Sequence, residues 1–387
     1  MKKLLLVAIT SVFALNAHAQ QTTNNWDFDG ANREYIQYVP SVYDGSEAVA
    51  LVIVLHGLGD NMNNMAQVGF HQVSDTANFI VVTPEALVFQ SPAPQLFPDA
   101  TAWNSGAGTF GIYPNADIDD VGFINALMDT VSAHYNIDQS KIFITGFSMG
   151  SFMTNRLACE LTGRVAAIAG VAGTIGDGYT CNPSAAIPVC HFHGTFDTNV
   201  GYGIDGGGTQ DNTFGPSVLE WISFWNTNNG CENVTLEGQF PNSSNDGYLV
   251  DYLEYAGCTD NSRVVRYKVH GADHVWLGPN NDVFYTAEIW KFFLGLSPDN
   301  LVTSELGIGE NKIATISVYP NPTTDVLRIE NIETKMLNIS VFNTAGQLAK
   351  EFSTNSNILD VSALKPGVYQ IMVATESELF SNTFIKN

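Results

Sequence analysis

Residues 49–55 read Val-Ala-Leu-Val-Ile-Val-Leu, an apolar run with no polar interruption. Such a run predicts a parallel strand buried on both faces. Residues 79–83 predict a second. The spacing then changes: Val121, Ile124, Met128, Val131 and Tyr135 recur every three or four positions, predicting a helix with Asp119 or Asp120 as its N-cap. Residues 142–145 read as a strand, and Met149, Met153, Leu157 and Leu161 follow at four-residue helical spacing. Strands are expected at 165–169, 188–192 and 264–269, and a last helix at 283–294. This alternation predicts an α/β fold, a mostly parallel sheet with helices on both faces. Ligand sites in such sheets lie at the carboxyl ends of the strands.

The pattern changes after Leu296. Polar, irregular sequence predicts a linker over 299–315. Short alternating strands follow at 316–319, 326–329, 337–342, 357–361 and 367–373, punctuated by Pro320-Asn321-Pro322, Asn343-Thr344-Ala345-Gly346 and Lys365-Pro366-Gly367. These predict a small all-β sandwich domain over 316–387. It contains neither Cys nor His, so catalysis is expected in residues 20–298. At the other end, Lys2 and Lys3 precede an apolar stretch over 4–15 and then Ala17-His18-Ala19. This is the pattern of a secretory signal peptide, 1–19, with a small-residue cleavage site. No later stretch reaches the ~18 apolar residues of a transmembrane helix.

Charge narrows the partners. The 39 acidic residues against 16 basic give a net −23. A nucleic acid would be repelled, and no Lys/Arg cluster offers an exception. The five cysteines of an exported chain read as disulfide material. Cys231 with Cys258 and Cys159 with Cys181 are candidate pairs, although spacing does not fix connectivity. Cys190, inside an apolar strand pattern, is the candidate free thiol. No Cys-x-x-Cys pair is present to suggest zinc. The Asp/Asn-rich segment 205–212 does not match an EF-hand calcium loop.

The chemistry concentrates at Gly146-Phe147-Ser148-Met149-Gly150, between a predicted strand and a predicted helix. Strand, Gly-x-Ser-x-Gly, helix is the nucleophile elbow of the α/β-hydrolases, where a sharp turn lifts a serine hydroxyl above the sheet. A serine needs a base within hydrogen-bond reach and an acid to orient that base. In these enzymes the acid and then the histidine follow the serine in the chain. Asp197, in His193-Gly194-Thr195-Phe196-Asp197 just after a predicted strand, is the natural acid; Asp205, Asp211 and Asp251 are the alternatives. The base is His274 or His270. His274 lies in the loop before the last helix, the usual place, whereas His270 closes a strand. His193 is expected to pack or hydrogen-bond beneath the acid loop, and His71 and His134 to sit on helix surfaces or ends. The early strand runs into His56-Gly57-Leu58-Gly59, so the backbone N–H groups of Leu58 and Met149 are the candidate oxyanion donors. Trp103 and Trp276 are candidates to line the acyl or leaving-group site, with core packing as the other reading. The chemistry requires no cofactor.

Together, Leu55-His56-Gly57-Leu58-Gly59, Asp120-Val121-Gly122-Phe123, Gly146-Phe147-Ser148-Met149-Gly150, His193-Gly194-Thr195-Phe196-Asp197 and Gly271-Ala272-Asp273-His274-Val275-Trp276 resemble the secreted polyhydroxybutyrate depolymerase and feruloyl/acetylxylan esterase family. The resemblance spans roughly residues 30–296. It implies a Ser148–His274–Asp197 triad, Leu58 as an oxyanion donor, and a polymeric ester substrate such as polyhydroxyalkanoate or a xylan ester. The family often has His-Thr-Trp-Pro-Gly where this chain has His274-Val275-Trp276-Leu277-Gly278. A glycine-rich stretch at 201–216 lies close to the acid loop, where it would reshape the pocket. Val318-Tyr319-Pro320-Asn321-Pro322, Val341-Phe342-Asn343-Thr344-Ala345-Gly346 and Leu364-Lys365-Pro366-Gly367-Val368-Tyr369 resemble the C-terminal sorting domain of type IX secretion. That implies recognition by the type IX machinery, export across an outer membrane, and removal of the domain or attachment at the surface; a small carbohydrate-binding module is the competing reading. The expected activity is serine ester hydrolysis. A serine peptidase on the same fold and a non-catalytic polysaccharide-binding surface protein are the rivals.

Overall fold

The protein is described from a computed structural model, over residues 19–95, 98–302, 314–330, 336–343, 348–352, 356–375 and 379–387. All of the expected signal peptide but Ala19, and residues 303–313 of the expected linker, lie outside the described residues. The chain divides into two compact units, Met1–Thr303 and Ser304–Asn387.

The strands of the first unit are β1 (Gln20–Phe28), β2 (Ala31–Val39), β3 (Val49–Leu55), β4 (Ile80–Pro84), β5 (Val88–Phe89), β6 (Ala100–Thr101), β7 (Ile137–Phe147), β8 (Ala167–Val171), β9 (Val189–Gly194), β10 (Val234–Gln239), β11 (Leu249–Tyr255) and β12 (Val264–His270). Its helices are α1 (Met62–Met65), α2 (Phe70–Ala77), α3 (Asp120–His134), α4 (Met149–Glu160), α5 (Val218–Asn229) and α6 (Tyr285–Phe293). Among the described residues a ten-stranded sheet has the order β1-β2-β4-β3-β7-β8-β9-β12-β11-β10. The six strands from β4 to β12 run parallel, and antiparallel hairpins extend both edges.

The apolar run at β3 has a direct structural cause. Val49, Leu51, Ile53 and Leu55 pack with residues of α3, α4 and α5, whereas Ala50, Val52 and Val54 pack with residues of α2 and α6. Successive strand residues face opposite sides, so a strand covered by helices on both sides needs apolar residues at every position. Each fully buried aliphatic side chain contributes roughly 1.5–3 kcal/mol.

Of the two N-cap candidates for α3, Asp119 takes the role, accepting the Gly122 N–H at 2.8 Å. Asp120 is buried and accepts from Arg33 Nη2 at 2.6 Å and from the Asn104 N–H at 2.7 Å. Removing one partner strands a buried charge. Asp120→Ala is therefore expected to destabilise the unit by about 3–5 kcal/mol, read from urea unfolding; a loss below about 1 kcal/mol would contradict this account.

His134 sits at the exposed end of α3. His71 departs from expectation: it lies on the buried face of α2, its ring stacked on Tyr38 with centroids 4.1 Å apart. Cys159–Cys181 and Cys231–Cys258 are the disulfides, and Cys190 is a buried free thiol pushed well up by burial. No helix among the described residues is long and apolar enough to cross a membrane.

The second unit contains β13 (Ala314–Thr315), β14 (Ser317–Tyr319), β15 (Val326–Glu330), β16 (Met336–Asn343), β17 (Leu348–Phe352), β18 (Ile358–Asp360), β19 (Gly367–Thr375) and β20 (Leu379–Lys386). A five-stranded sheet, β13-β20-β19-β16-β17, and a three-stranded sheet, β14-β15-β18, share one apolar core that includes Val318, Leu327, Ile339, Leu359, Ile371 and Phe384. The sandwich begins at β13, two residues before the expected start.

Candidate active site

Leu58, Ser148, Asp197 and His274 each lie just beyond the carboxyl end of a parallel strand, β3, β7, β9 and β12 respectively. β7 ends at Phe147, and Ser148 turns the chain into α4 with φ 55° and ψ −121°. A side chain at Ser148 strains this positive-φ backbone, and close packing around it explains the glycines. A Cβ on Gly146 would come within 2.3 Å of the Gly150 carbonyl oxygen, and one on Gly150 within 2.3 Å of the Leu55 carbonyl oxygen. Helix α4 thus packs directly onto the end of β3. The Ser148 N–H donates to the Val171 carbonyl at 2.8 Å, tying the turn to β8.

The loop after β3 is held from two sides. The His56 Nε2 lies 3.0 Å from the Ala86 N–H, which can only donate, so Nε2 is bare and the proton is on Nδ1. Nδ1–H then donates to the Gly57 carbonyl at 2.7 Å. Burial pushes the His56 pKa down, in agreement with a neutral ring. Trp103 Nε1–H donates to the His56 carbonyl at 2.9 Å from beneath. A pinned Gly57 carbonyl fixes the plane of the next peptide, and so the direction of the Leu58 N–H. Met149 is the first residue of α4, where an N–H has no intrahelical acceptor. Leu58, Ser148 and Met149 line one cavity of ≈ 250 Å³.

Asp197 and His274 meet across two loops. His274 Nδ1–H donates to Asp197 Oδ2 at 2.7 Å. The other carboxylate oxygen, Oδ1, accepts the N–H groups of Asn199 at 2.9 Å and Val200 at 2.8 Å. His193 Nε2–H donates to the Val200 carbonyl at 2.8 Å and lies 3.3 Å from Asp197 Oδ2. Burial alone would push the Asp197 carboxyl up, but the hydrogen bonds and charges of His193 and His274 outweigh it and hold the group well below the usual carboxylate range. Through its Nδ1, His193 lies 3.0 Å from the Nε2 of His191. His191 is fully buried. Its buried Nδ1 has no hydrogen-bond partner, and burial drives its pKa well below the ordinary value.

Asp273 stitches the acid loop to the histidine loop. Its Oδ1 accepts from the Thr198 N–H at 3.0 Å, the Thr198 hydroxyl at 3.1 Å and the His274 N–H at 2.8 Å. Its position directly before His274 is the sequence signal for this role. The ring of Phe147 lies under the His274 imidazole, with centroids 4.7 Å apart.

Residues 40–205 match the phospholipase/carboxylesterase family, and residues 317–387 match the secretion system C-terminal sorting domain. The chain is an exported α/β-hydrolase of the carboxylic ester hydrolase class. Feruloyl esterase D of Neurospora crassa is 28% identical to it over 284 residues, spanning 71% of this chain and 86% of the fungal protein. The probable feruloyl esterase C of Aspergillus niger is 27% identical over 295 residues, 75% of this chain and 96% of that protein. Among solved structures, an acetyl xylan esterase from Aspergillus awamori superposes with a TM-score of 0.45 at 17% identity, over 72% of this chain and 99% of that one.

The remaining candidates of the esterase divide clearly. Asp251 pairs with His270 at 2.5 Å on neighbouring strands, Asp205 accepts from the Ser217 hydroxyl at 2.9 Å, and Asp211 accepts from the Ile204 N–H at 3.0 Å. Trp103 corrects the expectation that it lines the substrate site: it is fully buried and supports the His56 loop instead. Trp276 does not line the Ser148 cavity either. It borders a neighbouring one, because its indole N–H is held by the Thr286 hydroxyl at 3.1 Å. The walls beside Ser148 come from Ala107, Phe152, Val200 and Phe214, with Thr109 as a polar member. Phe214 belongs to the glycine-rich stretch. Asn212 fixes it, donating to the Thr174 hydroxyl at 2.9 Å while accepting the Phe214 N–H at 2.9 Å. Gly215 allows a close approach, since a Cβ there would fall 1.9 Å from the Ile175 carbonyl oxygen.

Proposed function

We propose that the esterase cleaves esters of an aromatic carboxylic acid carried on a polysaccharide, through Ser148, His274 and Asp197. Ser148 Oγ attacks the ester carbonyl carbon while His274 Nε2 takes its proton. Asp197 keeps the imidazole proton on Nδ1 and stabilises the imidazolium. The Leu58 and Met149 N–H groups receive the oxyanion. His274 then returns the proton to the departing alkoxide, leaving an acyl-serine. Water, deprotonated by His274, attacks that acyl carbon and releases the acid.

The observation that carries the acyl preference is the cavity beside Ser148. Apart from Ser148 and Thr109 its walls are apolar or aromatic, its volume is ≈ 250 Å³, and the rings of Phe152 and Phe214 meet edge to face with centroids 6.2 Å apart. An aromatic acid gains from edge-to-face contact and from apolar burial there; an acetyl group would leave most of the space unfilled. The similarity to feruloyl esterases points to a hydroxycinnamoyl group.

Initial rates on methyl ferulate and p-nitrophenyl acetate test this reading. Methyl ferulate is expected to be turned over, and Phe214→Ala to lower the ratio of kcat/KM for ferulate over acetate about tenfold. A folded protein that hydrolyses neither ester would remove the proposed function. An unchanged ratio in Phe214→Ala would remove the acyl assignment alone.

A further inference from the structure

A second cavity, of ≈ 520 Å³, opens beside Trp276. Its walls include Trp276, Phe284 and Pro279 together with the amide side chains of Asn64, Gln67 and Gln72. No lining residue is ionisable. Both glutamines are exposed. The aromatic side is firmly built. The Trp276 indole N–H donates to the Thr286 hydroxyl, and that hydroxyl donates to the Val68 carbonyl. Phe284 sits close over Gly69, where a Cβ would fall 2.5 Å from its ring.

The placement of this cavity matters more than its size. The ring of Phe147 packs against both residues: its centroid is 4.7 Å from that of His274 and 6.4 Å from that of Trp276. In acyl transfer the histidine that accepts the serine proton hands it to the leaving oxygen. The alcohol therefore departs on the imidazole side. The cavity at Ser148 is walled by Phe152 and Phe214 from other elements, and it suits the acyl half.

From this arrangement we infer that the Trp276 cavity is a subsite for the alcohol half of the ester, and that it takes a neutral oligosaccharide. An aromatic surface with amide donors and acceptors and no charge matches the C–H faces and hydroxyls of a sugar. An anionic polymer would meet no cation here and would approach a chain of net charge −23. The inference rests on the function proposed above and adds where the saccharide sits.

The test uses the full-length protein and two esters of the same acid: a feruloylated arabinoxylo-oligosaccharide and methyl ferulate. Gly278 lines the cavity, and a Cβ there meets no atom within 4 Å. Gly278→Trp should therefore fill the space without displacing its neighbours. Paired Gln67→Ala and Gln72→Ala changes remove amides from exposed positions. Either variant is expected to lower the ratio of kcat/KM for the oligosaccharide ester over methyl ferulate about tenfold, mostly through KM. An unchanged ratio in both variants would overturn the subsite while leaving the esterase reading intact. Calorimetric titration of an unesterified xylo-oligosaccharide into Ser148→Ala, with and without Gly278→Trp, separates the two claims. Binding that Gly278→Trp abolishes supports the subsite even if neither ester is cleaved. Binding that Gly278→Trp leaves unaltered, or no binding at millimolar saccharide, overturns it.

Discussion

Ser148→Ala is expected to lower kcat on methyl ferulate by about 10⁶-fold, as loss of the nucleophile does in a serine protease. Mutation of this residue should leave the fold in place. Alanine keeps the same Cβ, so the positive-φ backbone at 55° is no more strained than with serine. The Ser148 N–H bond to Val171 and the bonds from the Ser151 and Phe152 N–H groups to the Ser148 carbonyl use only backbone atoms. Ser148→Gly makes a second expectation available. Glycine adopts positive φ without steric cost, so this variant should be as inactive as alanine yet about 1 kcal/mol more stable than it. Steady-state rates with thermal melts of all three proteins check both points. A Ser148→Ala protein retaining a hundredth of wild-type turnover would take the nucleophile role away from this serine.

Much of this site was legible because its position is set by apolar runs. Strand β3 was readable residue for residue, since a strand covered on both faces cannot hide a polar position. The turn at Ser148, the acid loop after β9 and the His274 loop each follow such a strand. The edge strands β1, β2, β10 and β11 were not legible in the same way. β1 and β10 carry one half-buried face or none, with polar residues such as Asn24, Asn25 and Glu237 interrupting the alternation, whereas β2 and β11 are better buried but include buried polar residues such as Arg33, Gln37 and Glu254. Helix α5 escapes the alternation argument although its signature is present: Ser217 and Glu220 form a capping box, and Val218, Trp221, Ile222 and Trp225 share a face. Trp103 and Trp276 show the limit of reading aromatics from a string. Each has its indole N–H claimed by a distant acceptor, and that bond holds Trp103 in the core and Trp276 at the edge of a cavity away from Ser148. Phe214 reaches the Ser148 cavity through the Asn212–Thr174 bond and the close approach at Gly215, which the sequence pattern does not show.

Asp197→Asn is expected to lower kcat about 10⁴-fold, and the geometry gives the reason. The carboxylate faces four donors: the N–H groups of Asn199 and Val200 at Oδ1, His274 Nδ1 at Oδ2, and His193 Nε2 near Oδ2. An amide offers one oxygen and one NH₂. Backbone N–H groups cannot reverse into acceptors, so the oxygen of asparagine must take the Oδ1 place. Its NH₂ then points at the two imidazoles. His274 meets it by baring Nδ1, which moves the ring proton to Nε2 and leaves no lone pair for the serine proton. His193 has no such escape, because its Nε2–H is committed to the Val200 carbonyl. The same substitution therefore costs stability, about 1–3 kcal/mol for the buried donors set against each other. The pH dependence has a definite sign. A carboxyl held below its unfolded pKa contributes stability that is present above the unfolded value and lost as pH falls through the folded one. Wild type should lose this contribution progressively on acidification below about pH 4, whereas Asp197→Asn, with no carboxyl to protonate, should lose correspondingly less. The stability gap between the two proteins, large at pH 7, should narrow towards pH 2. A gap that stayed constant over that range would mean that Asp197 does not carry the buried charge on which the His274 tautomer depends.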